Sequence, residues 1–153
     1  MKKDWSAYGP LALRLVIGIG FLYHGVPKLF TGQGHQMFQG MLESIGIPAP
    51  GLMSWVVAIV EVGGGLALLA GAFTAIAGSL LIVNMLVAMF MVHWPNGFSF
   101  INITGMTDAG PTFGMPGIEV NLLYIGGLLA LVLGGPGPLS VDARRARPPA
   151  AAY

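Results

Sequence analysis

The stretch LALRLVIGIGFLYHGVPKLF, Leu11 to Phe30, decides the fold. A hydrocarbon core of about 30 Å is crossed by roughly 20 helical residues rising ~1.5 Å each, so this segment is long and apolar enough to span a bilayer. Yet it carries Arg14, His24 and Lys28. A cation near the centre of a spanning helix costs roughly 2.5–3.5 kcal/mol even on lenient insertion scales. Three basic groups in one span therefore require partners, water or a way out to the headgroups. At ~100° per residue, Arg14, Gly18, Phe21, Gly25 and Lys28 form one stripe, with His24 on its flank. The polar residues share a face, and the rest of the chain supplies what that face needs.

Composition supports the same class. The 153 residues are 55% hydrophobic and 8% charged, against about 25% charged in a soluble domain. The chain reads as an integral membrane protein. Its net charge of +1 gives no case for nucleic acid or an acidic partner. The absence of cysteine excludes a disulfide, a thiolate metal centre and thiol exchange within the chain. Any redox role needs a cofactor bound without thiolates or covalent links, or a second subunit. Lys2 and Lys3 before an apolar run resemble a secretory leader. Arg14 interrupts that run, however, the run is too long and no small-x-small cleavage site follows, so a retained first helix is expected.

Working outward, the pattern predicts an all-α, membrane-embedded four-helix bundle over residues 1–142, with spans at about 10–30, 52–72, 75–93 and 118–134. Between the first two, Met37, Phe38, Met41, Leu42 and Ile45 alternate with Gln36, Gln39, Glu43 and Ser44, the spacing of a short interfacial helix. Glu61 falls near the middle of the second span. Gly63, Ala67, Gly71 and Ala75 recur every fourth residue as a small-residue ridge, and Gly126, Ala130 and Gly134 form another. Glu61 lies ~160° from Gly63 by helical geometry, which predicts that packing and chemistry use different faces. The Gly- and Pro-rich stretch from about Pro95 to Gly117 reads as an exposed loop, and the Pro/Ala-rich tail 143–153, with Arg144, Arg145 and Arg147, as disordered. Four spans put both termini on one side. Lys2, Lys3 and the tail arginines mark that side as cytoplasmic, placing the chain as a multi-pass protein of the inner (plasma) membrane.

That topology sets depths. His24, Lys28, His93 and Glu119 fall in the outer third of the membrane, with Glu61 within roughly 10 Å below them and Arg14 in the inner half. One outward-opening pocket can hold the outer set, Lys28 pairing with Glu119, and Arg14 or His24 with Glu61. Blander readings stand beside this. Lys28 can snorkel, Arg14 can anchor the inner leaflet, His93 can cap its helix, and Glu119 gains from a helix N-terminus. Glu61 has no interface to reach. Asn84 faces away from His93 if the third span is regular, so both line one pocket only with a bend. No metal site is read: the candidate ligands sit on four helices without an i, i+3 or i+4 pair, and Lys28 competes. Haem between two histidines fares no better, and the nine methionines read as apolar filler.

These residues in this order resemble the DoxX family of small bacterial and archaeal membrane proteins. The resemblance rests on Arg14, Gly18, Phe21, His24-Gly25 and Lys28, on the segment Gly46 to Pro50, and on Glu61-Val-Gly-Gly64 with Leu68 to Gly71. It continues through His93, Asn96-Gly97-Phe98 and Glu119, and closes on Gly135 to Asp142. It implies a four-helix membrane bundle; some members are similar to the membrane subunit of a thiosulfate:quinone oxidoreductase, others to components of redox assemblies handling oxidative stress. This chain lacks the cysteine of any thiol-based version and the soluble subunit of the thiosulfate enzyme. Two functional readings follow. In one, the pocket binds a quinone-like headgroup within a redox complex, with Glu61 and His24 as proton-handling groups and Arg14, Lys28, His93, Glu119 and Asn96 contacting the ligand. In the other, the chain is an accessory subunit whose ionisable cluster locks its helices together. A small-solute transporter is a weaker third, since no inverted repeat is evident. Expected partners are lipid and other membrane or redox subunits, or further copies of the chain.

Overall fold

The structure, a computed structural model, describes residues 5–146. The expectations about Lys2, Lys3 and the end of the tail lie outside those residues. A single 3-10 turn, Trp5–Tyr8, leads into α1, Gly9–Phe30, whose first turn holds Pro10, where its missing N–H is no loss. Next come α2, Gly32–Ser44, and α3, Pro50–Ala70. Helix α4, Thr74–Ala88, continues through a π-helical turn at Met89–His93 and a 3-10 turn at Trp94–Asn96. After a hairpin of β1, Ile103–Thr107, and β2, Gly110–Phe113, come α5, Glu119–Gly134, and the short α6, Val141–Arg145. The chain is thus mostly helical. Gly9–Phe30, Pro50–Ala70 and Thr74–Asn96 are long and apolar enough to cross a membrane, while the apolar α5 is shorter. It is a membrane protein.

Each of the four apolar helices α1, α3, α4 and α5 packs on two of the others, α1 chiefly on α3 and α4 chiefly on α5. Ile17, Phe21, Leu68, Leu81, Leu128 and Leu131 form the core between them. With lipid as apolar as leucine, close backbone approach drives such contacts. At the α1–α3 crossing a Cβ on Gly18 or on Gly65 would lie 3.0 Å from the other's carbonyl oxygen. A Cβ on Gly25 would meet Glu61 Cβ at 2.8 Å. Gly64 admits Leu81 of α4, and Gly78 of α4 admits Val132 of α5.

These are not the expected ridges. Gly63, Gly126 and Gly134 face open space, and α3 ends before Gly71, whose φ of 64° turns the chain into the next helix. The buried positions of α3 are Ser54, Ala58, Glu61, Val62, Gly65 and Leu68. Glu61 therefore lies on the packing face, and packing and chemistry share a surface rather than dividing it. Periodicity identifies a stripe of small residues but not which way the stripe faces.

The stretch expected as an irregular loop holds the β1–β2 hairpin, with a bulge between Ile103 and Gly105. Its β-branched and aromatic Ile103, Thr104, Thr112 and Phe113 on either side of Asp108-Ala109-Gly110 are the sequence trace of it. At the far end, residues expected in the disordered tail, Ala143 to Arg145, are helical, with Ser140 accepting a capping bond from the Ala143 N–H at 3.1 Å.

The segment from Gly135 to Asp142 folds back over the end of the molecule that holds Arg14. Arg14 is completely buried, and its Nη2 donates to the Leu139 carbonyl at 2.6 Å. Asp142 accepts from the Phe73 and Thr74 N–H groups and from the Thr74 hydroxyl, each at 2.9 Å. Its own N–H donates to the Gly71 carbonyl at 2.9 Å. Asp142 thus supplies the start of α4 with a cap from 68 residues away.

Candidate functional site

At the other end of α1 the helices part around a cavity of about 390 Å³, within the size range of small-molecule sites. Its wall is largely apolar, with Phe21, Phe38, Leu42, Met85 and Val92 among the lining residues. The polar exceptions come from four helices. Lys28 Nζ lies 2.8 Å and 2.7 Å from the two oxygens of Glu61. Asn84 Nδ2 donates to Glu61 Oε1 at 3.2 Å. The Lys28 ammonium also stands 4.2 Å above the centre of the Phe38 ring, a favourable cation–π placement.

The pairing differs from both expected ones, and helix geometry explains it. Side chains lean toward the N-terminus of their own helix. Lys28, near the C-terminal end of α1, leans back toward the middle of the molecule instead of out to an interface. Glu61, on the antiparallel α3, leans toward the same end as Lys28. The two meet across Gly25, where a missing Cβ lets α3 approach. Glu61 is 4% exposed, so these partners stand where water otherwise would around its carboxylate.

The π-helical turn resolves the conflict between Asn84 and His93. Nine residues of regular helix would set them about 180° apart. One π turn inserts an extra residue and rotates everything beyond it by roughly 100°. Both then line the cavity. His93 Nδ1 lies 2.8 Å from the Pro116 carbonyl, which orients the ring. His24 also lines the cavity, is itself exposed, and packs edge-on to Tyr23.

Three expected site residues lie elsewhere. Arg14 is bound to the Leu139 carbonyl at the opposite end of α1. Glu119 Oε2 accepts from the Phe100 N–H at 3.0 Å, tying the hairpin segment to the start of α5. Asn96 Nδ2 donates to the Val92 carbonyl at 3.0 Å. None of the three lines the cavity. Among the described residues, no three histidine or acidic side chains gather as metal ligands.

Sequence reasoning passed over three polar residues. His35 of α2 places Nδ1 2.9 Å from the Lys28 carbonyl and Nε2 3.1 Å from the buried Ser54 hydroxyl, with Trp55 packed on its ring. This pins α2 across α1 and α3, so Phe38, Met41 and Leu42 cover the cavity and do not simply rest on the membrane surface. Asn121, 4% exposed, lies on the α5 side of the cavity with Nδ2 3.5 Å from the Met85 carbonyl. His35 sits in a Gly/Gln-rich segment and Asn121 amid a leucine run, so neither carried a spacing signal.

A family model for DoxX matches residues 9–94, more than half of the chain. The chain belongs to the DoxX family. It is similar to a protein of Bacillus subtilis (strain 168) described as "Putative oxidoreductase CatD", with 36% identity over 92 residues, 60% of this chain and 64% of that protein. The chain thus matches less than two thirds of that relative's length. The matched family region contains α1 to α4 and with them Lys28, Glu61, Asn84 and His93. No solved structure matches the chain.

Proposed function

We propose that this protein is the membrane subunit of a quinone-linked redox complex, and that the cavity above Glu61 receives the ligand's headgroup. The chain crosses the inner membrane four times in this reading, both termini cytoplasmic and the cavity toward the outer leaflet. One observation carries it: an apolar chamber the size of a small-molecule site, whose wall holds a buried carboxylate neutralised by a lysine. A lipid-soluble ligand needs the apolar wall, and quinone chemistry exchanges protons, for which Glu61 and Lys28 form a proton-exchangeable pair with His24 at the rim. The similarity to a protein described as an oxidoreductase supports the class. The saturation of Lys28 by Glu61 and Phe38 favours a second reading, an accessory subunit in which the pair joins α1 to α3.

Gentle extraction from the native membrane followed by mass spectrometry of lipids and subunits tests both. Glu61→Gln alone leaves Lys28 unpaired and lowers stability by about 3 kcal/mol, so the informative variant is the charge-balanced Lys28→Met with Glu61→Leu. On the first reading wild type carries a quinone and the double variant, folded and still with its partners, carries none. Recovery of partner subunits from wild type without any quinone sinks the first reading and supports the second.

A further inference from the structure

The β1–β2 hairpin projects from the bundle, and its two faces are unlike. Both strands are exposed along nearly their whole length and pack chiefly on each other, whereas a lone two-stranded hairpin in water is marginal at best. Directly opposed residues share a face, and Ile103 stands opposite Phe113, Met106 opposite Pro111. Pro111 and Phe113, two apart, share a face as well. Ile103 and Met106 are three apart, which in a regular strand would put them on opposite sides. The bulge between Ile103 and Gly105 absorbs the odd residue and brings both onto the face of Pro111 and Phe113. There Ile103, Met106 and Phe113 are 57%, 75% and 65% exposed. The other face is polar. Thr104 Oγ1 lies 3.3 Å from Thr112 Oγ1, and a Cβ on Gly114 would meet the side chains of Thr104 and Asn102.

The legs of the hairpin are braced. The Gly114 N–H donates to the Asn102 carbonyl at 2.8 Å, that of Gly117 to Ser99 at 2.9 Å and that of Ile118 to Gly97 at 3.0 Å. The apolar face is thus aimed by a backbone ladder that reaches from the turn down to the start of α5. Its surroundings are apolar too. On α4 and its extension, a helix of membrane-spanning length, Val83, Val87, Phe90 and Trp94 are exposed. Phe98 and Phe100 carry exposed apolar surface onward from there to the hairpin. From Trp94 to Gly117 the one charged side chain is Asp108, at the hairpin's turn.

We propose that the hairpin is a lipid anchor: the face of Ile103, Met106, Pro111 and Phe113 lies in the boundary between headgroups and acyl chains of the adjacent leaflet. In a two-stranded sheet the outer edge of each strand carries backbone groups without a partner in the sheet, which keeps the hairpin out of the hydrocarbon core. With one face apolar, and its edges and other face polar, the boundary is the depth that satisfies both. Neither lysine nor arginine occurs between Lys28 and Arg144, so the attraction is to apolar depth and not to headgroup charge. The anchor bears on the cavity. Strand β2 runs on into Met115, Pro116 and Gly117 of the cavity wall, and the Pro116 carbonyl holds His93. Lipid under the hairpin thus steadies one wall of the chamber, whatever ligand the chamber takes.

The chain has no cysteine, so Met106→Cys and Thr104→Cys each create a single labelling site, one on either face and both exposed. The full chain is labelled with the environment-sensitive dye NBD and placed in phosphatidylcholine nanodiscs, with or without lipid carrying a doxyl nitroxide at acyl carbon 5 or 12. At Met106 the emission should be blue-shifted, and quenched about threefold more by the carbon-5 nitroxide than at Thr104, as for a side chain ~5–10 Å into the boundary. The carbon-12 nitroxide should quench it less, and added phosphatidylglycerol should change neither value. Equal quenching at the two positions, or water-like emission from Met106, overturns the anchor. Blue-shifted emission at Met106 that neither nitroxide quenches also overturns it, and gives the face to a second copy or another protein. Stronger quenching from carbon 12 overturns the boundary depth, and quenching that appears only with phosphatidylglycerol overturns the apolar attraction.

Discussion

Helix α1 buries a cation toward each end, and the two ends solve the same problem in opposite ways. At one end Arg14 is walled in. Its guanidinium reaches the Leu139 carbonyl at 2.6 Å, the Gly71 turn closes over it where a side chain would collide, and Asp142 stitches the returning chain to the start of α4. At the other end Lys28 meets a carboxylate directly, and the helices stand apart around about 390 Å³. The enclosed cation has one hydrogen-bonding partner, a backbone carbonyl, and no space around it. The cation at the cavity is held by a titratable partner, beside space that a ligand can fill. One end is built to hold the helices and the other to permit exchange.

The largest expected effect tests the first half of that contrast. Arg14→Ala removes a fully buried side chain with its charge-assisted bond to Leu139, and should lower stability by about 4 kcal/mol. Thermal unfolding in nanodiscs measures the loss, and ligand affinity at the cavity should stay within threefold in the fraction that folds. An equal loss of affinity would mean that the two ends are coupled and that the contrast fails.

The Asp142 clasp sharpens it at smaller magnitude. Burial disfavours the Asp142 carboxylate, but the Thr74 and Phe73 N–H groups, the Thr74 hydroxyl and the nearby Arg145 outweigh it and hold its pKa below the ordinary 3.8. A lowered folded-state pKa contributes stability above the unfolded value and loses it as pH falls through the folded one. Asp142→Asn keeps one acceptor and loses the charge, so it should cost about 1 kcal/mol at neutral pH, as at a helix cap partly open to solvent. Unfolding followed from pH 7 downward should show a constant gap between wild type and variant, closing only below 3.8. A gap independent of pH to the acid limit would remove the charge from the account.

The sequence made three helices of membrane-spanning length, a further helix between the first two and the meeting of polar groups at one end of the bundle legible, because lipid imposes length and polarity rules that a single chain must obey. It placed Lys28, Glu61, His24 and His93 near one another in depth, and all four border the cavity. Rotation was less legible than depth. Lys28 chose Glu61 over Glu119 because of the lean of side chains along α1 and α3, an effect of about one turn that hydropathy does not register. Asn84 and His93 share a wall through one π turn, and a single inserted residue in an apolar run leaves no periodic trace. The Gly135 to Asp142 motif resembled the family's closing segment, yet its task, sealing Arg14 and capping α4, depends on contacts about 70 and 125 residues away in sequence.

The smallest expected effect concerns two glycines on one helix. Gly63 and Gly65 differ by two positions, which turns them about 160° apart. A methyl at Gly63 meets nothing within 4 Å, whereas one at Gly65 lands 3.0 Å from the Gly18 carbonyl at the tightest point of the α1–α3 crossing. Gly65→Ala should therefore cost about 1–3 kcal/mol by overpacking. Gly63→Ala should be neutral or gain up to about 0.5 kcal/mol from helix propensity alone. Unfolding of the two single variants side by side decides which face of α3 does the packing within the chain. Should Gly63→Ala leave the isolated protein unchanged but reduce recovery of partner subunits or of paired copies, the ridge read from the sequence would regain a role. It would then be a contact between chains, facing away from the helix that buries Glu61.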